Sequence, residues 1–253
     1  MPLGPNDFLI EACVESAEFA VAAARAGADR LELCDNLVEG GTTPSAGALA
    51  VALERTGIPV MAMIRPRGGD FVYSDVELDV MRRDVVMARE LGAHGVVLGL
   101  LDRDGSVDRE RTARLREVAG PLSVTFHRAF DVARDPFESL EMLVELGVDR
   151  VLTSGQRPTA LEGLKLIGEL ARAAGRRIAI LPGGGIRPTN VSQVLAVPGI
   201  REVHVYAARA YPSPMRHRNP SVVMGRRYEP DEYERNEWDP EAIRNLRRAG
   251  AAG

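Results

Sequence analysis

Long apolar runs are missing from this chain of 253 residues. No stretch approaches the ~18 apolar residues needed to cross a bilayer. The N-terminus, MPLGPNDFLIEAC, also lacks the cationic head and apolar core of a secretion signal. These absences predict a cytoplasmic protein. Cysteine is scarce, with Cys13 and Cys34 alone, which excludes a disulfide framework and predicts two free thiols in a reducing compartment. Neither sign of charge dominates, because 32 basic and 36 acidic residues are interspersed and leave a net charge of −4. Such a surface offers no electrostatic footprint for nucleic acid or an anionic membrane, so a small partner is expected. Absent too are a CxxC pair, a histidine cluster and, after the first expected strand, the glycine fingerprint of a dinucleotide site.

What is present is a repeat. An amphipathic stretch rich in Ala, Leu, Arg and Glu is followed by Gly and then by a short β-branched run, as in AAARAGADRLELC, ARELGAHGVVLGLL and MLVELGVDRVLTSG. Glycine suits a helix C-terminus because it enters the left-handed conformation at little cost. The closing positions are Gly27, Gly57, Gly92, Gly120, Gly147, Gly175, Gly199 and Gly250. Strands are expected near residues 8–13, 29–34, 58–64, 95–100, 121–127, 149–153, 177–182 and 202–206. Eight strands alternating with helices predict a (β/α)₈ TIM barrel, an α/β fold formed as a single domain over 1–253. An open doubly wound sheet is the alternative. One unit is oversized: residues 207–238 form a long insertion after the eighth strand, ahead of a last helix over 239–250. An insertion of this length suits a lid, an oligomer contact or a disordered segment.

Alternation along the strands sorts side chains into two sets. Phe8, Ile10 and Ala12 oppose Glu11 and Cys13; Leu31 and Leu33 oppose Glu32 and Cys34; Val60, Ala62 and Ile64 oppose Met61, Met63 and Arg65. Further on, Leu122, Val124 and Phe126 oppose Ser123, Thr125 and His127, while Val203 and Val205 oppose Glu202, His204 and Tyr206. Helices cover the outside of a barrel, so the polar sets face the lumen. Buried charges lose hydration and must be paired or face a ligand, which marks the C-terminal mouth as the functional site. Arg65 tops the third strand, and Arg67 and Asp70 follow in a loop that Gly68 and Gly69 let bend over a ligand. The plainer role for Arg65 is a structural ion pair with Glu32 or Glu11.

Two chemistries are compatible with these residues. In an enzyme, Glu11, Glu32, His127 and Asp131 are candidate acids and bases, while Arg65, Arg67 and Arg128 hold a carboxylate or phosphate. Gly183, Gly184 and Gly185, in LPGGGIRPTN, resemble the phosphate cradle that follows the seventh strand of many barrels. Thr153 and Ser154 serve as lumen donors or strand-end caps. In a metal site, Cys13 and Cys34 end adjacent parallel strands and supply the soft sulfur donors that copper(I) prefers, with Met61 and Met63 nearby.

The segments RLELC, EGGTTPS, MIRPRGGDF, VTFHRAFD, RVLTSG, PGGG and EVH, in unbroken order over residues 9 to about 225, resemble the CutC family of copper-homeostasis proteins. The resemblance implies a TIM barrel, a cytoplasmic homo-oligomer, and copper ligands at Cys13 and Cys34. It assigns no reaction. Val205 and Tyr206 follow His204 where several members of the family carry Cys or Ser.

Overall fold

The computed structural model describes residues 8–219, 221 and 233–251. Eight parallel strands run β1 (Leu9–Val14), β2 (Arg30–Leu33), β3 (Val60–Met63), β4 (Gly95–Leu98), β5 (Ser123–Phe126), β6 (Arg150–Thr153), β7 (Ala179–Pro182) and β8 (Glu202–Val205). Helices lie between them: α1 (Ala17–Arg25), α2 (Ala46–Thr56), α3 (Asp75–Glu90), α4 (Arg109–Ala119), α5 (Pro136–Glu145), α6 (Leu164–Ala174) and α7 (Val191–Leu195), with α8 (Pro240–Ala251) last. Strand order β7-β6-β5-β4-β3-β2-β1-β8 follows the chain except that β8 returns to β1. A single parallel bridge, Gly183 to His204, joins β7 to β8. This is the expected (β/α)₈ TIM barrel. Gly183 suits the seam because a Cβ there would lie 2.5 Å from Leu152 and 3.2 Å from His204.

Local rules explain the element ends. Ser16, Ser45, Asp108 and Asp135 each accept a backbone N–H from the first turn of the helix they precede. Ser74 and Glu77 form a reciprocal capping box at α3. Of the hydroxyls before α2, Ser45 alone caps; Thr43 instead binds the Arg65 backbone. Seven of the expected closing glycines take positive φ. Gly250 does not close a unit: it lies inside α8, where a Cβ would overlap the Phe8 ring.

The two strand faces build two separate clusters. Ile10, Leu31, Ala62, Val96, Phe126, Val151, Ile180 and Val203 join the helix faces in one continuous core. Each fully buried aliphatic side chain contributes about 1.5–3 kcal/mol from the removal of apolar surface from water. Cys13, Cys34, Met61, Met63 and Val97 form a second cluster inside the barrel.

Within 207–238, β9 (Ala208–Pro212) and β10 (Glu234–Trp238) pair as an antiparallel hairpin. Its base is docked: Trp238 is buried, with its ring 6.4 Å from that of Phe19, and Asn236 Nδ2 donates to Glu15 Oε1 at 3.3 Å. Residues 220 and 222–232 of the insertion lie outside the described residues. Among the described residues, no helix is long and apolar enough to cross a membrane.

Candidate functional site

The lumen begins with an ionic layer. Arg30 pairs with Glu11 and, at 2.9 Å, with Glu202, and Arg150 pairs with Glu202 at 2.5 Å. Register explains it: Glu11 is the direct partner of both Arg30 and His204. Burial alone would raise the Glu11 carboxyl, but the charges of Arg30 and His204 hold it down at about 2. Arg30 and Arg150 escaped the sequence reading. Carrying the alternation of β2 two residues back from Glu32 finds Arg30.

Above that layer, Cys13, Glu32 and His204 each offer a ligand atom, all within 4.8 Å of one another. Cys13 and Glu32 are register partners on β1 and β2. Cys34 donates to Glu32 Oε2 at 3.5 Å. His204 Nδ1 meets Glu11 Oε1 at 2.8 Å, and its Nε2 lies 3.7 Å from Glu32 Oε2. The hydrogen bond with Cys34, aided by His204, brings the Cys13 thiol down to about 5 despite its burial. The same bond pushes Cys34 well up, and burial adds to it. Burial raises Glu32 well above the usual carboxylate range, against the pull of the His204 charge. Burial opposes charge on His204, yet Glu32, Cys13 and Glu11 together raise it well above the ordinary imidazole range. The group therefore holds a thiolate beside an imidazolium, two opposite charges that satisfy each other out of water.

Cys13, Glu32 and His204, but not Cys34, line a cavity of about 280 Å³ at the C-terminal ends of the strands, where Arg65, Phe71, His127 and Arg128 also line it. Arg65 is buried, but its partners are neither Glu11 nor Glu32 as the ion-pair reading expected. Its Nη1 donates to the carbonyls of Glu39 (2.7 Å) and Gly41 (2.8 Å), and its Nη2 to that of Gly69 (2.9 Å). It staples two loops and keeps one edge toward the cavity. His127 Nδ1 accepts the Ala129 N–H at 3.1 Å, and burial with the nearby Arg65 charge lowers its pKa to about 3. The ring is neutral.

Other predicted site residues lie apart from the cavity lining. Arg67 binds Glu77 (2.6 Å), Asp70 (3.2 Å) and the Val72 carbonyl (2.9 Å), tying the loop after β3 to α3. Asp131 is a fixed acceptor: Thr153 Oγ1 (2.5 Å), Ser154 N (3.0 Å), Ser154 Oγ (2.9 Å), Gln156 N (3.1 Å) and Arg128 Nε (2.7 Å) all donate to it. Thr153 is thus a strand-end cap, on the face opposite Leu152, which does line the cavity. The glycine turn after β7 folds onto its neighbours, with the Gly184 carbonyl accepting from Ala160 N and that of Gly185 from Asn190. Gly183, Gly184 and Gly185 line no part of the cavity. Phe71, Glu39 and Leu152, which do, were missed because loops and apolar strand ends carry no polar signal.

The CutC family model matches residues 8–209. The chain belongs to the CutC family. It is 52% identical over 217 residues to a CutC family protein of Mesorhizobium japonicum, covering 86% of this chain and 84% of that one. It is 49% identical to the human copper homeostasis protein cutC homolog, over 95% of this chain and 88% of the human one. The crystal structure of a CutC protein from Streptococcus agalactiae superposes with a TM-score of 0.74 at 39% identity, over 78% of this chain and 97% of that one. CutC relatives thus share the barrel whose mouth carries the cavity described above.

Proposed function

We propose that this CutC protein acts in copper homeostasis and binds copper(I) as its cargo beside this cavity, through Cys13 and Cys34. The observation that carries this reading is the convergence of Cys13, Glu32 and His204 within 4.8 Å of one another, with the Cys34 thiol beside them, 3.5 Å from Glu32 Oε2. Copper(I) is a soft ion that favours thiolate and thioether donors and accepts imidazole. Cys13 already stands as a thiolate, and Met63 contributes a thioether to the same cluster. Glu11 holds one imidazole nitrogen of His204, the outer-shell carboxylate commonly found behind metal-facing histidines. Loading displaces the Cys34 proton, so affinity rises with pH. A reducing cytoplasm keeps both thiols available. The name of the human relative supports the assignment.

Anaerobic copper(I) titration against a chromogenic competitor tests it. The wild type binds one ion tightly, and Cys13→Ser and Cys34→Ser each weaken that site by roughly 100-fold or more, beyond the usual cost of an outer-shell change. Equal affinity in all three proteins rejects the assignment.

A further inference from the structure

Among the described residues, six buried side-chain polar atoms have no hydrogen-bond partner, and three of them belong to residues lining this one cavity: Arg65 Nε, His127 Nε2 and Glu32 Oε1. Their residues are 4%, 4% and 2% exposed. A buried polar group left unpaired is costly, so three around one space mark a place built for a polar occupant.

The chemistry of the three atoms is set by their other bonds. Three backbone carbonyls take three of the four outer N–H groups of Arg65, and Nε–H has no partner. His127 Nδ1 accepts from Ala129, so the proton of the neutral ring sits on Nε2, a second donor. Both groups are held against one aromatic ring: Phe71 lies 5.1 Å from the Arg65 guanidinium carbon and 5.1 Å from the centroid of His127. Glu32, on β2 beside β3, brings an oxygen that accepts, or donates when protonated. Met63, Phe71 and Leu152 supply apolar wall between them.

We propose that this cavity binds a small carboxylate that also carries a hydroxyl or amino group. The carboxylate oxygens accept from Arg65 Nε–H and His127 Nε2–H, the hydroxyl or amine pairs with Glu32, and a short carbon skeleton rests on the apolar wall. The volume of about 280 Å³ equals that of about nine liquid waters, which suits a compact acid. Two side-chain donors match the two oxygens of a carboxylate. A phosphate asks for more donors, and the glycine turn that would add backbone amides lies outside the lining. The inference uses groups other than the two thiols and does not depend on copper.

Isothermal titration of the full chain in chelator-containing, copper-free buffer tests it, with lactate, malate and serine as probes and lactamide and inorganic phosphate as controls. At least one hydroxy- or amino-carboxylate binds, about tenfold or more tighter than either control, and His127→Phe and Glu32→Gln each weaken it by about tenfold or more. If His127→Phe does not fold, Glu32→Gln decides. Absence of binding by every carboxylate, equal binding of lactamide or phosphate, or wild-type affinity in the folded variants overturns the proposal. Because no copper is present, this outcome is separate from that of the metal titration.

Discussion

His204 Nδ1 lies 2.8 Å from Glu11 Oε1, although 193 residues separate them. They meet because β8 closes onto β1 in a parallel register that makes them direct partners. That contact joins the ionic layer of the lumen to the thiols above it.

Acid should unfold the protein through two of these groups. His127 contributes stability that is complete above pH 6.5 and is lost as pH falls toward about 3. Glu11 contributes stability complete above pH 4.5 and lost toward about 2. The Glu11 part is on the order of 3 kcal/mol. Urea midpoints measured across this range should fall steadily, and His127→Phe should flatten the upper part of the curve. A wild-type midpoint constant down to pH 3 would contradict the buried neutral imidazole.

The Cys13 thiol should ionise far below its ordinary range. Thiolate ultraviolet absorbance should rise with a midpoint near pH 5 and vanish in Cys13→Ser. In Cys34→Ser the midpoint should move, since the Cys34 hydrogen bond is the largest cause of the shift. Alkylation should stay slow even so, because Cys13 is 5% exposed.

Gly99→Ala should displace His127. A Cβ at this position would overlap the His127 ring and lie 2.9 Å from that of Ala129. The expected loss is about 1–3 kcal/mol in denaturant unfolding, as for other overpacked sites. Carboxylate binding should weaken with it, because Nε2 moves.

Asp131→Asn should cost about 2–4 kcal/mol, since an amide donor would then face the backbone donors of Ser154 and Gln156. Asp70→Asn is the control. The Asp70 side chain is 74% exposed in its pair with Arg67, and its loss should cost under about 1 kcal/mol. Equal midpoints for the two variants would remove Asp131 from its role as the acceptor that orders the loop after β6.

The strand faces were readable along the chain because a period of two admits few alternatives once helices cover one side. Leu31 and Leu33 had to face the helices, so Glu32 and Cys34 had to face the lumen, and they do. The partners of the charged residues were not readable in the same way. Arg65, Arg67 and Asp131 all follow strand ends, a position that marks a residue for the barrel mouth but does not name its partners. The partners of Arg65 are carbonyls of two loops, and those of Asp131, apart from Arg128, come from the next strand and its turn. Such contacts depend on loop paths, which leave no periodic trace.

By itself the sequence determined a barrel of eight parallel units and its polar lumen, since periodicity and glycine punctuation act over a few neighbouring residues, while its motifs carried the resemblance to the CutC family. Only the tertiary structure decided which polar groups satisfy one another and which three atoms are left for a ligand. The reason is that closure of β8 onto β1, and the folding of loops over the mouth, set distances between residues up to 193 positions apart.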